Sequence, residues 1–233
     1  MSNIKFELTD NTRVNFMGVT LYQIRATEDI PARGVRKGDL GGWVESAELT
    51  NGDARVSGDA WVHGNAEVYG NARVSGNARV SGDAEVSGNA RVYGNARVSG
   101  DAEVSGDAEV SGDAEVSGNA EVYGNAEVSG DARVSGDARV SGDAEILKTW
   151  HYLTVGPIGS ESVTATLYRT KSNNHRLDVG CWRDGTLGTL MAEVKRRREN
   201  WPGDEATQLL WVEQYKALRK LGRATVKRWE GEK

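Results

Sequence analysis

Residues 88–99 read Gly88-Asn89-Ala90-Arg91-Val92-Tyr93-Gly94-Asn95-Ala96-Arg97-Val98-Ser99. The same unit, G-(D/N)-A-x-V-y, runs without insertion from Gly52 to Leu147, sixteen hexads in all. Within a unit Ala and Val stand two apart, so an extended chain points both to one side. The x residue (Arg, Glu, one Trp) and the y residue (mostly Ser, with His63, Tyr69, Tyr93 and Tyr123) point to the other side. Gly followed by Asp or Asn turns the chain, because Gly accepts positive φ and Asx side chains bond nearby backbone. Each hexad is thus a short strand plus a corner. One such strand cannot bury its Ala/Val side alone. Coiling and stacking buries a narrow continuous core, with main-chain hydrogen bonds between coils at about 4.8 Å. A helix is excluded, since Gly at every sixth position would cost about 1 kcal/mol each time. A solvated low-complexity tract does not hold an apolar pair in strict register. Calcium-binding G-G-x-G-x-D repeats have a period of nine, not six.

The charge is unevenly distributed. The 233 residues carry a net −5, but residues 52–147 have 7 Lys/Arg against 17 Asp/Glu, and residues 148–233 have 16 against 10. The middle is acidic and the end basic, so no single electrostatic label fits. With 29 Gly and 2 Phe, a core of large apolar side chains is not expected across the middle. The lone Cys181 excludes an internal disulfide framework and a cysteine-rich zinc site. No apolar run approaches the ~20 residues that span a bilayer, and Met1–Asp10 has no apolar signal region. The expectation is a soluble protein of a reducing cytoplasm, with no membrane partner.

Three regions follow: a cap of the solenoid at 1–51, the repeat at 52–147 and an α+β domain at 148–233. In the cap, Leu21–Ala26 alternates like a strand. Ala47-Glu48-Leu49 repeats the A-x-V logic with one residue too many before Gly52, an imperfect additional rung. After Lys148, the stretches 150–155, 162–170 and 175–182 read as strands. Thr186 is expected to cap a helix carrying Leu187, Leu190, Met191 and Val194 on one side. Asp204 is expected to cap a second helix, with Leu210, Trp211, Tyr215, Leu218 and Leu221 buried and Gly222 as its stop. The module reads β-β-β-α-α.

The repeat resembles the hexapeptide-repeat left-handed β-helix superfamily, in which three hexads close one triangular coil. The resemblance implies a mainly β, single-stranded parallel β-helix of about five coils for residues 52–147, left-handed, and a homo-oligomer with the trimer favoured. Eighteen-residue stacking then gives three faces. The first presents Arg55, Arg73, Arg91, Glu109, Glu127 and Glu145. The second presents Trp61, Arg79, Arg97, Glu115 and Arg133. The third presents Glu67, Glu85, Glu103, Glu121 and Arg139. Two further likenesses concern the flanks. Leu21–Ala26 with Lys37-Gly38-Asp39-Leu40-Gly41-Gly42-Trp43-Val44-Glu45 resembles the leader of phage and prophage proteins that continue into such repeats. Gly156–Ser160 with Val179-Gly180-Cys181-Trp182 and Gly185-Thr186-Leu187 resembles a small domain of phage accessory proteins.

Catalytic chemistry finds little support. The superfamily's enzymes are mostly acyltransferases, with a His between subunits, a projecting loop and basic residues for coenzyme A. Here the repeat has no projecting loop. Its one histidine, His63, reads as a surface residue near Trp61. His151 and His175 lack metal-pair spacing, and Cys181 reads as a small buried residue in a strand. Gly156-Pro157-Ile158-Gly159 is not followed by the G-K-(S/T) of a phosphate loop. No catalytic, cofactor-binding or metal-ligating residue is assigned. Two charged surfaces remain as candidates. One is the acidic third face, Glu67, Glu85, Glu103 and Glu121, suited to a basic partner. The other is a basic patch of Lys195, Arg196, Arg197, Arg198, Lys216, Arg219, Lys220 and Arg223. It would complement a helix terminus, hold a nucleic acid or nucleotide, or rest on the protein's own acidic repeat. The leading expectation is a non-enzymatic phage or prophage scaffold that binds or inhibits a host macromolecule, in the host cytoplasm. The alternatives are an acyltransferase-like enzyme, a nucleic-acid or nucleotide-binding protein, and a virion structural protein.

Overall fold

The computed structural model of the chain describes residues 5–15, 18–31, 35–51 and 53–231. Gly52, which opens the first hexad, lies outside them. Three strands lead in: β1 (Phe6–Val14), β2 (Thr20–Ala26) and β3 (Leu40–Val44). Each hexad then places one two-residue strand, from β4 (Arg55–Val56) to β19 (Glu145–Ile146). These strands pair in parallel at an eighteen-residue offset, as in Arg91↔Glu109 and Val92↔Val110. They form a parallel β-solenoid of about six turns.

The interior is what the Ala-x-Val spacing requires. From Ala60 to Ile146 the inward Ala and Val (or Ile) side chains are buried, in one continuous core. At the corners, stacked glycines lie almost in contact. Gly88 has φ +67°, and a Cβ there would come within 2.9 Å of the Gly106 nitrogen. Both the backbone angle and the space therefore demand Gly. The Asx residue beside it adds a side-chain ladder. Asn71 Nδ2 donates to Asn89 Oδ1 at 3.2 Å, and Asn89 Nδ2 donates to Asp107 Oδ1 at 3.0 Å.

The solenoid has a direction. Each rung donates its N–H groups to carbonyls of the next, as in Arg91 N to Ala108 O at 2.9 Å and Tyr93 N to Val110 O at 2.9 Å. The last rung therefore presents donors with no following coil. The C-terminal module supplies acceptors: Ser135 N donates to Tyr152 Oη (3.3 Å), Arg139 N to Thr166 Oγ1 (3.1 Å) and Leu147 N to His151 Nδ1 (3.3 Å). Tyr168, fully buried, closes the end of the Ala/Val core. An open sheet edge is thus covered.

At the other end the solenoid begins earlier than the hexad motif. Val44 pairs with Val62, and Thr50 forms a bridge with Val68. Val44, Thr50 and Val56 are six apart, so the register continues through the cap and adds a turn to the expected five. Thr50, not Leu49, takes the valine place, and Ala47–Leu49 is a 3₁₀ turn rather than an A-x-V strand. No residue is in excess. Gly42 takes the alanine place, where a Cβ would meet Val56 Cγ1 at 2.7 Å. The strand expected at Leu21–Ala26 is β2, which joins β3 antiparallel.

The C-terminal module has four antiparallel strands, β20 (Tyr152–Ile158), β21 (Val163–Arg169), β22 (His175–Val179) and β23 (Trp182–Gly185), then α1 (Leu190–Arg198) and α2 (Glu205–Glu230). The expected third strand is split by a turn, where Gly180 has φ +55°. The α1 helix starts three residues beyond the expected Leu187, and Thr186 O accepts from Leu190 N at 3.0 Å. Asp204 does cap α2, accepting from Thr207 N at 2.9 Å. Gly222 does not end the helix. It lies mid-helix and buried, where a Cβ would meet Leu187 Cδ2 at 2.7 Å. Its missing side chain lets α2 approach the sheet. Tyr215, Leu218 and Trp229 face inward, while Leu210 and Leu221, expected to be buried, are 60% and 49% exposed.

Candidate interaction faces

The acidic face lies on the five-stranded sheet. Its register stacks Glu67 on Glu85, Glu85 on Glu103, Glu103 on Glu121 and Glu121 on Arg139. The four glutamates are brought into one column, as the eighteen-residue spacing requires. Arg139 Nε lies 2.9 Å from Glu121 Oε1, and Tyr69 Oη donates to Glu85 Oε2 at 3.0 Å. Glu67, Glu85 and Glu103 meet no cation among the described residues. Directly stacked like charges are unfavourable by a few tenths of a kcal/mol or more.

On the other two faces every glutamate meets a cation. On the first, Arg91 pairs with Glu109 at 3.0 Å, and the C-terminal module supplies Lys171 to Glu127 (3.7 Å) and Arg169 to Glu145 (2.5 Å). On the second, Glu115 is held by Arg97 (3.1 Å) and Arg133 (3.5 Å). Arg79 stacks on Trp61 and Arg13 on Trp43, at 4.7 and 4.1 Å from the ring centres.

The basic patch is largely committed to internal contacts. Glu193 accepts from Arg196 Nε and Nη2 (2.8 and 2.7 Å) and from Arg197 Nε (2.6 Å). Arg198 donates to Gln208 at 3.3 Å, Arg219 to the Leu187 carbonyl at 2.9 Å, and Lys216 to Glu213 at 2.6 Å. Lys195, Lys220 and Arg223 are exposed, with no acidic partner among the described residues. Within the chain, the basic module meets the acidic repeat through other cations than those of the patch. Arg169 and Lys171 make that contact instead. Glu193 escaped the sequence reading, although its i+3 and i+4 arginines gave the signal.

Hydrogen bonds from Arg196, then Arg197, hold the Glu193 carboxylate down at about 2, against an ordinary 4.5. A folded value below the unfolded one means the ion pairs contribute fully above pH 4.5 and are lost as pH falls toward 2. Glu193→Gln should therefore flatten the acid limb of stability in that window, measured as the urea midpoint against pH. An unchanged slope would show that the triad contributes nothing.

The remaining candidates for chemistry sit in structural roles. His63 is 4% exposed rather than at the surface, and burial pushes its imidazole pKa down. Its position follows the buried Val62 at the capped end of the second face. His151 Nδ1 accepts from Leu147 N, and His175 Nε2 accepts from Leu187 N at 3.2 Å. Cys181 is exposed, not buried, because the chain turns there. Its thiol accepts from Arg197 Nη1 at 3.3 Å. Among the described residues no cluster of three or more His, Cys, Asp or Glu could hold a metal ion. Asp178 was not legible in the sequence. It is 2% exposed and accepts from Asp184 N at 2.9 Å, and burial pushes its carboxylate pKa up. It supports the β22–β23 turn.

Stacked two-residue strands, Ala/Val core and glycine corners together define a solenoid repeat. The family described as YdcK Beta solenoid repeat matches residues 66–82, 72–88, 84–100, 90–106 and 132–144. This part of the chain is a β-solenoid repeat protein. All the matched segments lie inside the repeat, so the likeness concerns the solenoid and not the flanking regions. No curated protein matches the chain. No helix among the described residues is long and apolar enough to cross a membrane.

Proposed function

We propose that the protein is a non-enzymatic binding scaffold whose solenoid holds a basic macromolecular partner on its third face. The observation that carries this reading is the unneutralised column Glu67, Glu85 and Glu103, set beside two faces whose acids are paired. Stacked rungs fix these carboxylates at a spacing of about 4.8 Å. A partner presenting several Lys or Arg gains from all of them at once, and its association is accelerated by the local field. The leader's likeness to phage and prophage proteins supports a host macromolecule as that partner, a defence component among the choices, met in the host cytoplasm. Side-by-side association of solenoids into a homo-oligomer belongs to the same reading.

The test is affinity purification of the full chain from host cells with mass spectrometry, beside a Glu67→Gln/Glu85→Gln/Glu103→Gln variant. The expected result is a partner recovered by the wild type, released by salt and lost from the variant. Recovery of the same proteins by both would contradict the assignment. So would micromolar binding of acetyl-coenzyme A in calorimetry.

A further inference from the structure

The helix α2 leaves one stripe of its surface largely exposed, with Gln214 alone anchored inside the chain. Leu210, Gln214, Ala217, Leu221 and Ala224 follow one another at steps of four, three, four and three. That is the spacing of a coiled-coil seam. Leu210 is 60% and Leu221 49% exposed, and Ala217 and Ala224 are exposed as well. Gln214 is half-buried, its Oε1 accepting from Gly159 N at 2.8 Å. The helix buries an adjoining side, about a third of a turn around its axis, through Tyr215, Leu218, Gly222 and Trp229. Leu210, Ala217, Leu221 and Ala224 therefore form an apolar line left exposed on one chain, on either side of the anchored Gln214.

The charges along α2 indicate what covers it. Asp204, Glu205 and Glu213 lie in its first part, and Lys216, Arg219, Lys220, Arg223, Lys227 and Arg228 in its second, with Glu230 the one exception. We propose that this stripe is a two-fold interface with a second copy of the chain, its α2 running antiparallel. In an antiparallel pair, seam positions meet so that Leu210 of each copy packs on Leu221 of the other, and Gln214 on Ala217. The same register brings Glu213 beside Lys220 of the second copy, both on the same flank of the seam. Every one of these contacts occurs twice, because the interface is isologous. A parallel pair would set cation on cation and acid on acid. An indifferent acidic partner would leave Glu213 and Glu205 facing like charge. The helix macrodipoles also oppose favourably in the antiparallel arrangement.

The seam is short. Five seam residues are expected to bury less than the roughly 800 Å² per partner of a standard stable interface, so a dimer with a dissociation constant in the micromolar range is expected. The proposal is independent of the acidic face, because α2 lies at the far end of the chain from Glu67. It also differs from the side-by-side trimer that the superfamily resemblance implies.

Sedimentation velocity on the full chain, up to about 300 µM, tests it. The expected result is a monomer–dimer equilibrium that Leu210→Gln/Leu221→Gln shifts at least tenfold toward monomer. Both residues are exposed, so the thermal midpoint of the variant should stay close to that of the wild type. The charge pattern gives an independent arm. Glu213→Lys and Lys220→Glu should each weaken the dimer, and the double exchange should restore it. A chain that stays monomeric throughout, a dimer indifferent to the leucine substitutions, or a double exchange no better than its parents would overturn the proposal.

Discussion

Val98→Asp should abolish cooperative folding of the solenoid, whereas Arg97→Gln, one residue away, should cost less than about 1 kcal/mol. Val98 is fully buried and stacks between Val80 and Val116. Its surroundings are Ala and Val side chains, which offer a carboxylate neither a cation nor a donor. An unpaired buried charge belongs to the few changes that exceed about 4 kcal/mol. Repeat solenoids depend on contacts between neighbouring coils, so one failed rung interrupts the coupling on both sides. Arg97 points to solvent and loses only its exposed pair with Glu115. The contrast is read by urea unfolding followed by circular dichroism. Similar midpoints for the two variants would mean that the Ala/Val side is not the inside.

Tyr168→Ala should lower the unfolding free energy by about 3–5 kcal/mol, the usual effect of truncating a large buried aromatic. Tyr168 has no exposed surface, packs on the end of the solenoid core, and its Oη lies 2.9 Å from Ser141 Oγ. Tyr168→Phe keeps the ring and removes only the hydroxyl, so it should cost about 1 kcal/mol. The alanine variant should also loosen the acceptors that Tyr152 and Thr166 offer to the last rung. A bare donor edge is a template for pairing with another chain, so concentration-dependent self-association in light scattering is the second expected effect. A loss under 1 kcal/mol would show that the C-terminal module merely follows the solenoid rather than capping it.

The solenoid was legible in the sequence because its signal is repeated. Ala and Val two apart, with Gly at every sixth place, leave one way to bury the apolar side. The first turn was not, because Thr50 stands where valine is expected and Gly42 where alanine is expected. Neither belongs to the residue class that the motif reads, although Val44, Thr50 and Val56 keep the six-residue interval. In α2, Gly222 reads locally as a stop. Only the sheet behind it, with Leu187 and Leu167 against the bare backbone, explains a glycine in mid-helix. The same tertiary contact rotates the buried side away from Leu210 and Leu221. Of the candidate faces, the glutamate column followed from arithmetic on the repeat. The basic patch was visible as charge, but the pairing of Arg196 and Arg197 with Glu193 depends on side-chain geometry that a residue count does not weigh.

The most direct test of the account is the distance between spin labels along one column. Ser57, Ser75 and Ser129 occupy the y place of the same face, and Cys181, the one native cysteine, can be replaced by Ser. Pulsed electron–electron double resonance on Ser57→Cys/Ser129→Cys and on Ser75→Cys/Ser129→Cys should give narrow distributions near 19 and 14 Å, each offset by the label tethers and differing by about 4.8 Å, one strand spacing. Broad distributions, or two distances that differ by much more than one coil, would contradict a stack of eighteen-residue turns.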